Sequence, residues 1–306
     1  MEPFKEILVG LDTSALDETL LKYAAYITDN SSAERVTFVN MVRNLNVPTE
    51  VKKEFPHLIE SALEERKKLI KESIDTFFKP TKKVKTKILV KKGQAPMLLE
   101  EAKKSNADLI IIGQKKTLDG TGVTTLRLAR RADCNLLIVP ENVSPKADRI
   151  LVPVDFSKHA KLALEQTIDF VVKTGSNSEI ICQNVYAVPA GYHYTGKSFD
   201  EFAEIMKKNA QSNFEKFMKK IDKRDANLKD VYSLDTNDNL ASDIYDLADE
   251  INPDFIVIGA KGRTAAAALF LGSLAEKMVN EKMSHPLLVV RFKGKNAGVF
   301  ETLREF

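Results

Sequence analysis

The sequence predicts an α/β protein made of two tandem doubly wound domains, each carrying a five-stranded parallel sheet, and three observations support this. First, three segments recur in the same order at offsets of about 143 to 151 residues. EILVGLDTS (Glu6 to Ser14) returns as RILVPVDFS (Arg149 to Ser157), ADLIIIGQKK (Ala107 to Lys116) as PDFIVIGAKG (Pro253 to Gly262), and NLLIVP (Asn135 to Pro140) as PLLVVR (Pro286 to Arg291). Second, within each copy short runs rich in Val and Ile alternate with longer stretches of helical period, which is the pattern of βαβ units. Third, ENVSPKAD, Glu141 to Asp148, has the Pro/Ser/Asn character of a linker and sets the expected domains at 1–143 and 144–306.

In chain order the expected strands of the first copy are ILVGL, RVTFVNMV, VKTKILV, DLIII and NLLIV; those of the second are ILVPV, EIICQNVY, DVYSLD, DFIVI and PLLVV. In such a sheet, ligands bind beyond the carboxyl ends of the strands where the strand order reverses. That puts Asp12, Asp155, Gly113 and Gly259 on one side. The third strand of the first copy lies in KPTKKVKTKILVKK, with seven lysines and no acid. Val84, Thr86, Ile88 and Val90 alternate with Lys85, Lys87 and Lys91, which reads as a lysine-guarded edge strand; no aromatic residues interleave for stacking on bases. The stretches Ser61 to Phe78 and Phe199 to Ile221 read as amphipathic helices. The Phe and Met of the second suit a core or, instead, a surface that covers a partner or a lipid-like ligand.

Composition narrows the function. The 306 residues are 43% hydrophobic, enough for large cores, and 46 basic against 43 acidic residues leave a formal charge of +3. That balance argues against a coat for nucleic acid or an anionic membrane. Cys134 and Cys182 form no CxxC pair, and His57, His159, His193 and His285 show no ligand spacing, so neither a disulfide framework nor a zinc site is expected. No leader-like start and no run near 18 apolar residues appear, so the expectation is a soluble, cytoplasmic protein. His159 lies two residues after Ser157 and near Asp155, but neighbours on one helix start cannot oppose one another as a catalytic triad does, and a helix-cap role is expected there. No Walker A lysine follows a glycine loop.

The informative segment is IGAKGRTAAAALFLGS, Ile258 to Ser273. Gly259 and Gly262 follow a strand, nine residues intervene, and Gly272-Ser273 opens the helical pattern SLAEKMVNEK. Glycines let a ligand approach the backbone, and a helix start offers free amides and a positive dipole end to phosphate. The intervening residues read as a short helical flap. A plainer alternative is that Ser273 and Glu276 form only a capping box.

With G-x2-G-x9-G-S after its fourth strand, the chain resembles the universal stress protein family over nearly its whole length, as two tandem copies of that adenine nucleotide alpha hydrolase-like fold. The resemblance implies that Gly259, Gly262, Gly272, Ser273 and the amide of Leu274 hold the phosphates and ribose of ATP, with or without Mg. It also implies that Asp155, beside Pro153, lies near the adenosine and that Val185 offers backbone bonds to adenine. The first copy departs from the pattern: Lys116 replaces the second glycine and Gly120-Thr121 follows too soon, so nucleotide is not expected there, a smaller anion on Lys115, Lys116 and the amides of GTGVTT stays open, and its Asp12 is expected to cap the helix of SALDETLL. The function implied is a nucleotide-binding regulatory protein of the stress response with one competent site and no assigned catalytic residue. A slow ATPase and a scaffold with no nucleotide are the alternatives. Both final strands are apolar on both faces, so the copies are expected to pair through them as an internal pseudo-dimer; a homodimer and an unnamed protein partner fit the same reading.

Overall fold

A computed structural model describes residues 4–43, 45, 47–115, 121–175, 177–262, 271–281 and 283–293, with the backbone alone for 121–123. The chain divides into two units between Pro145 and Lys146.

The first unit runs β1 (Glu6–Leu11), α1 (Leu16–Asp29), β2 (Arg35–Val42), α2 (Thr49–Glu54), α3 (Leu58–Phe77), β3 (Lys85–Lys92), α4 (Leu98–Ser105), β4 (Leu109–Gln114), α5 (Thr121–Arg131) and β5 (Asn135–Pro140). The second runs β6 (Arg149–Pro153), α6 (Lys158–Thr174), β7 (Glu179–Ala187), α7 (Phe199–Met218), β8 (Asn227–Asp235), α8 (Leu240–Ile251), β9 (Phe255–Gly259), α9 (Ser273–Asn280) and β10 (Leu287–Val290). Each expected strand is present. The strand orders are β3-β2-β1-β4-β5 and β8-β7-β6-β9-β10, with parallel pairing throughout the registers of both units, so each unit is doubly wound.

The β-branched and leucine runs are continuous because helices cover both faces of these sheets. Leu8, Val9, Ile110, Ile111 and Leu136 are buried in the first unit, and Leu151, Val152, Ile180 and Ile256 in the second. Small residues let helices lie close: Ala24 on α1, Ala163 on α6 and Ala241 and Ala248 on α8 are wholly buried. At its unit's edge, β3 keeps Lys85 and Lys87 exposed and Ile88 and Val90 half-buried, while Lys91 bonds Glu101 of α4 at 2.9 Å.

Three devices recur in both units and explain the sequence repeat. The aspartate before the fourth strand clamps the start of the first: Asp108 Oδ2 accepts the Lys5 and Glu6 N–H groups (2.8 and 2.9 Å), and Asp254 Oδ2 those of Asp148 and Arg149 (2.7 and 3.0 Å). An asparagine of the second strand donates to a carbonyl at or just past the end of the first, Asn40 Nδ2 to Leu11 O (2.8 Å) and Asn184 Nδ2 to Val154 O (2.7 Å). After that carbonyl each chain makes the same turn. Asp12 Oδ1 accepts from Ser14 N–H (3.1 Å) and Asp155 Oδ1 from Ser157 N–H (3.0 Å), with the middle residues Thr13 and Phe156 left-handed at φ 62° and 66°.

Asp12 does not cap α1, contrary to expectation. The turn it makes ends before the helix begins; the N-cap is Ala15, without a side-chain bond, and the buried Asp17 carboxylate instead accepts the Asp12 and Thr13 N–H groups. In the second unit Ser157 is the cap of α6, accepting from Ala160 N–H at 3.1 Å, while His159 caps nothing.

The aspartate clamp predicts that Asp254→Ala lowers stability by about 1 to 3 kcal/mol, because two strand-start amides lose a buried acceptor. Urea denaturation checks this; an unchanged midpoint would show the clamp to be ornamental.

Candidate functional site

The second unit contains a cavity of about 920 Å³ at the carboxyl ends of β6, β7, β8 and β9, around the point where strand order reverses between β6 and β9. Pro153 and Asp155 line it from the end of β6, Val185 from β7, Gly259 from β9, Gly262 from the following loop, and Gly272, Ser273 and Leu274 from the start of α9. All eight residues proposed from the sequence thus border one space. Residues 263–270, which hold most of the expected flap, and residues 116–120 of the first repeat lie outside the described residues.

The start of α9 sets one end of the cavity. Gly272 is its N-cap and has no side chain to cap with; Ser273 is the first helical residue and forms no side-chain cap, so the capping-box alternative fails. In a helix the first-turn N–H groups have no intrahelical acceptor, so those of Ser273, Leu274 and Ala275 stand at the cavity wall beside the positive end of the dipole. Gly272 N–H is used, donating to Ala260 O at 2.8 Å, and this bond ties the helix start to the end of β9.

The glycines divide the work. A Cβ on Gly259 would lie 2.6 Å from the backbone of His159, so the bare backbone there lets α6 pack on β9 rather than admitting a ligand. Among the described residues a Cβ on Gly262 would meet only the Asp155 carboxylate, Oδ2 at 2.9 Å, so this glycine keeps the space in front of Asp155 open. A Cβ on Gly272 would lie 3.0 Å from Lys261 Cα, so close approach of two backbones requires it.

The other end is built by strand geometry. Pro153 faces Gln183 in register, and the last ladder bond on that side runs from Val154 N–H to Gln183 O at 2.7 Å. Two residues on, Val185 directs its backbone groups to the same side, beyond the end of β6. On the same wall the buried Gln183 donates through Nε2 to Ser233 Oγ and Asp243 O (3.0 Å each), while its Oε1 has no partner among the described residues.

Sequence reasoning missed a wall. Met206, Asn209, Ala210 and Asn213 of α7 line the cavity, as do Asp235 at the end of β8 and Asp238 after it. The amphipathic α7 therefore turns part of its inner face to the cavity, and Phe156 in the strained turn packs edge-on against its Phe217 at 5.7 Å. The small and carboxamide positions one turn apart were the available signal, and the surrounding Phe residues concealed it. Lys261, in the x2 gap of the glycine pattern, also lines the cavity.

Electrostatics separates the repeats. In the first, Lys115 Nζ pairs with the Asp12 carboxylate; burial pulls that carboxyl up, but Lys115, with the Ser14 N–H, holds it below its usual value. The corresponding Asp155 has no such bridge among the described residues. Near it, His159 is pushed down to about 4, first by burial and then by Lys158, Lys261 and Arg291, with its ring edge-on to Phe292 at 5.1 Å. Behind β8, Asp243 is raised by burial and by Asp235 and Asp246. Among the described residues no three His, Cys, Asp or Glu side chains gather to hold a metal, and no helix is long and apolar enough to cross a membrane. Cys134 and Cys182 are buried free thiols.

A doubly wound unit written twice, with a glycine-lined helix start beside a cavity in the second copy, defines a tandem α/β protein. The sequence model of the universal stress protein family matches residues 3–140 and again 146–291, and the chain belongs to that family as a tandem two-domain member. It is 26% identical over 160 residues, 47% of this chain and 95% of the relative, to a universal stress protein of Methanocaldococcus jannaschii. A universal stress protein of Archaeoglobus fulgidus shares the fold with a TM-score of 0.58 at 17% identity, covering 95% of this chain and 98% of that one. A functionally unknown protein of Pseudomonas aeruginosa does so at 0.62 and 16%, covering 99% and 98%.

The two glycines should fail differently. Gly259→Val collides with helix backbone and is expected to cost soluble, folded protein. Gly262→Val displaces only a carboxylate and should melt within a few degrees of the parent. Thermal melts of both purified variants decide it; equal loss would mean that Gly262 too is a packing glycine.

Proposed function

We propose that the second repeat binds an adenine nucleotide, ATP in the first place, and that the chain acts as a nucleotide-binding regulator in the stress response, in the cytoplasm, where Cys134 and Cys182 persist as thiols. The observation that carries this reading is the pairing of two backbone edges across one cavity. At one end, the uncapped first turn of α9 offers amides that suit phosphate; at the other, Val185 extends past the end of β6 and presents the N–H and C=O that an adenine edge can meet. The orphaned Gln183 Oε1 adds an acceptor on the base side, and the open face of Asp155 suits ribose hydroxyls. The first repeat has its counterpart aspartate engaged by Lys115, which supports one nucleotide per chain rather than two.

Titration calorimetry of the intact chain with ATP should give one site; two equivalent sites would overturn the assignment. Ser273→Ala should weaken ATP by about threefold to tenfold while leaving adenosine nearly unchanged, because the hydroxyl stands at the phosphate end. Equal loss for both ligands would move Ser273 away from the phosphates.

The proposal extends to the assembly: the two repeats pair through their final strands, NLLIVP and PLLVVR, whose apolar faces on both sides call for cover. A protease site inserted within Glu141 to Asp148 and then cut should leave the halves together on gel filtration. Halves that elute separately would remove the pairing.

A further inference from the structure

The phosphate end of the cavity carries a positive charge that the glycine pattern does not announce, with two further cations near it. Lys261 lines the cavity itself. Gly259 faces Val290 in register and Ala260 N–H donates to Val290 O at 2.9 Å, so Arg291 leaves β10 beside the Ala260-Lys261 step. From the other side the first turn of α6 presses on the same strand end, since the position a Gly259 Cβ would take lies 2.6 Å from the His159 backbone, and Lys158 is the first residue of that helix. Three cations thus converge on one strand end. Their mutual field is felt: the Lys261 ammonium is held below the usual lysine range by burial first, then by Arg291 and Lys158, and the same three cations act on His159. An anion entering the cavity meets this positive field.

The two repeats supply an independent comparison. Lys115 occupies the position in the first repeat that Lys261 occupies in the second, and it turns onto Asp12. Asp12 and Asp155 each accept the N–H of the serine two residues on, and in the second repeat the lysine at this position borders the cavity.

We propose that Lys261, backed by Lys158 and Arg291, supplies the countercharge for the nucleotide's phosphates, so that the site selects a nucleoside polyphosphate over the nucleoside and does so without requiring a divalent cation. This rests on the nucleotide reading above and adds the residue that sets its specificity. A primary ammonium beside backbone amides answers phosphate charge in the way a bound cation would. The preference for polyphosphate therefore resides in the chain.

The test is calorimetry of the full chain with ATP, AMP and adenosine in EDTA, repeated for Lys261→Met, Lys261→Arg and Lys158→Ala. The parent should bind ATP more tightly than adenosine in EDTA, and its ATP affinity should fall with added NaCl. Lys261→Met should lose about tenfold in ATP affinity with adenosine unchanged, Lys261→Arg should recover most of it, and Lys158→Ala, at an exposed position, should lose less. Unchanged adenosine binding doubles as the control for folding. ATP binding that appears only with Mg2+, or a Lys261→Met variant with an unchanged ratio of ATP to adenosine affinity, overturns this inference and leaves the nucleotide reading standing. Failure of all three adenine compounds to bind removes both.

Discussion

A buried carboxamide holds the site in place. Asn184 on β7 donates to the carbonyl of Val154 just past the end of β6, and so fixes the level at which the first strand of the unit stops and the turn to α6 begins. Everything at the cavity is measured from that level. Because β6 stops there, Val185 extends beyond it with a free backbone edge, Asp155 turns toward the cavity, and Ser157 is placed to cap α6. The capped helix then presses its His159 backbone onto Gly259, which sets where β9 ends and therefore where the loop to α9 starts. A hydrogen bond to a buried, otherwise unpaired carbonyl is worth most where its loss would strand both groups, and the Asn40–Leu11 bond repeats the arrangement in the first unit.

The same frame yields two different outcomes through one side chain's choice of partner. In the first unit Lys115 closes on Asp12, an ion pair whose carboxylate remains more than half exposed and so adds little stability; its consequence is steric and electrostatic occupation of the space. In the second unit the equivalent lysine faces a cavity walled by α7. In the two copies the same strand end thus carries a lysine that pairs with the turn aspartate in the first and one that borders a cavity in the second.

Much of this was legible in the sequence, for physical reasons. Ten strands could be read because runs such as LIII and FIVI are buried on both faces and leave no ambiguity of period, and the family is carried by a glycine spacing that serves backbone geometry directly. The α7 wall was hidden because Met206, Asn209 and Asn213 sit in a helix whose dominant pattern, set by its Phe residues, is that of core packing. Lys261 was hidden because a position written as x in a motif invites no reading. The role of Gly259 could be stated only once His159 was seen against it, since a packing glycine and a ligand glycine look alike in one dimension. Asp12 was misread as a cap because an aspartate ahead of a helix is common there; the left-handed Thr13 sends the chain through a separate turn first.

That left-handed residue also separates what belongs to the fold from what belongs to the ligand. Backbone strain at a non-glycine residue often marks a functional site, and Phe156 at φ 66° beside the cavity would seem to qualify. Yet Thr13 holds the same conformation in the repeat whose aspartate is already engaged by lysine, at φ 62° and with the same bond from serine to aspartate. A strain shared by an occupied and an open copy cannot be the cost of binding. It is the cost of turning from the first strand into the first helix beneath a fixed carbonyl, and both units meet it with the same asparagine. What differs between the copies is the lysine that pairs with Asp12 in the first and the glycine that stands opposite Asp155 in the second.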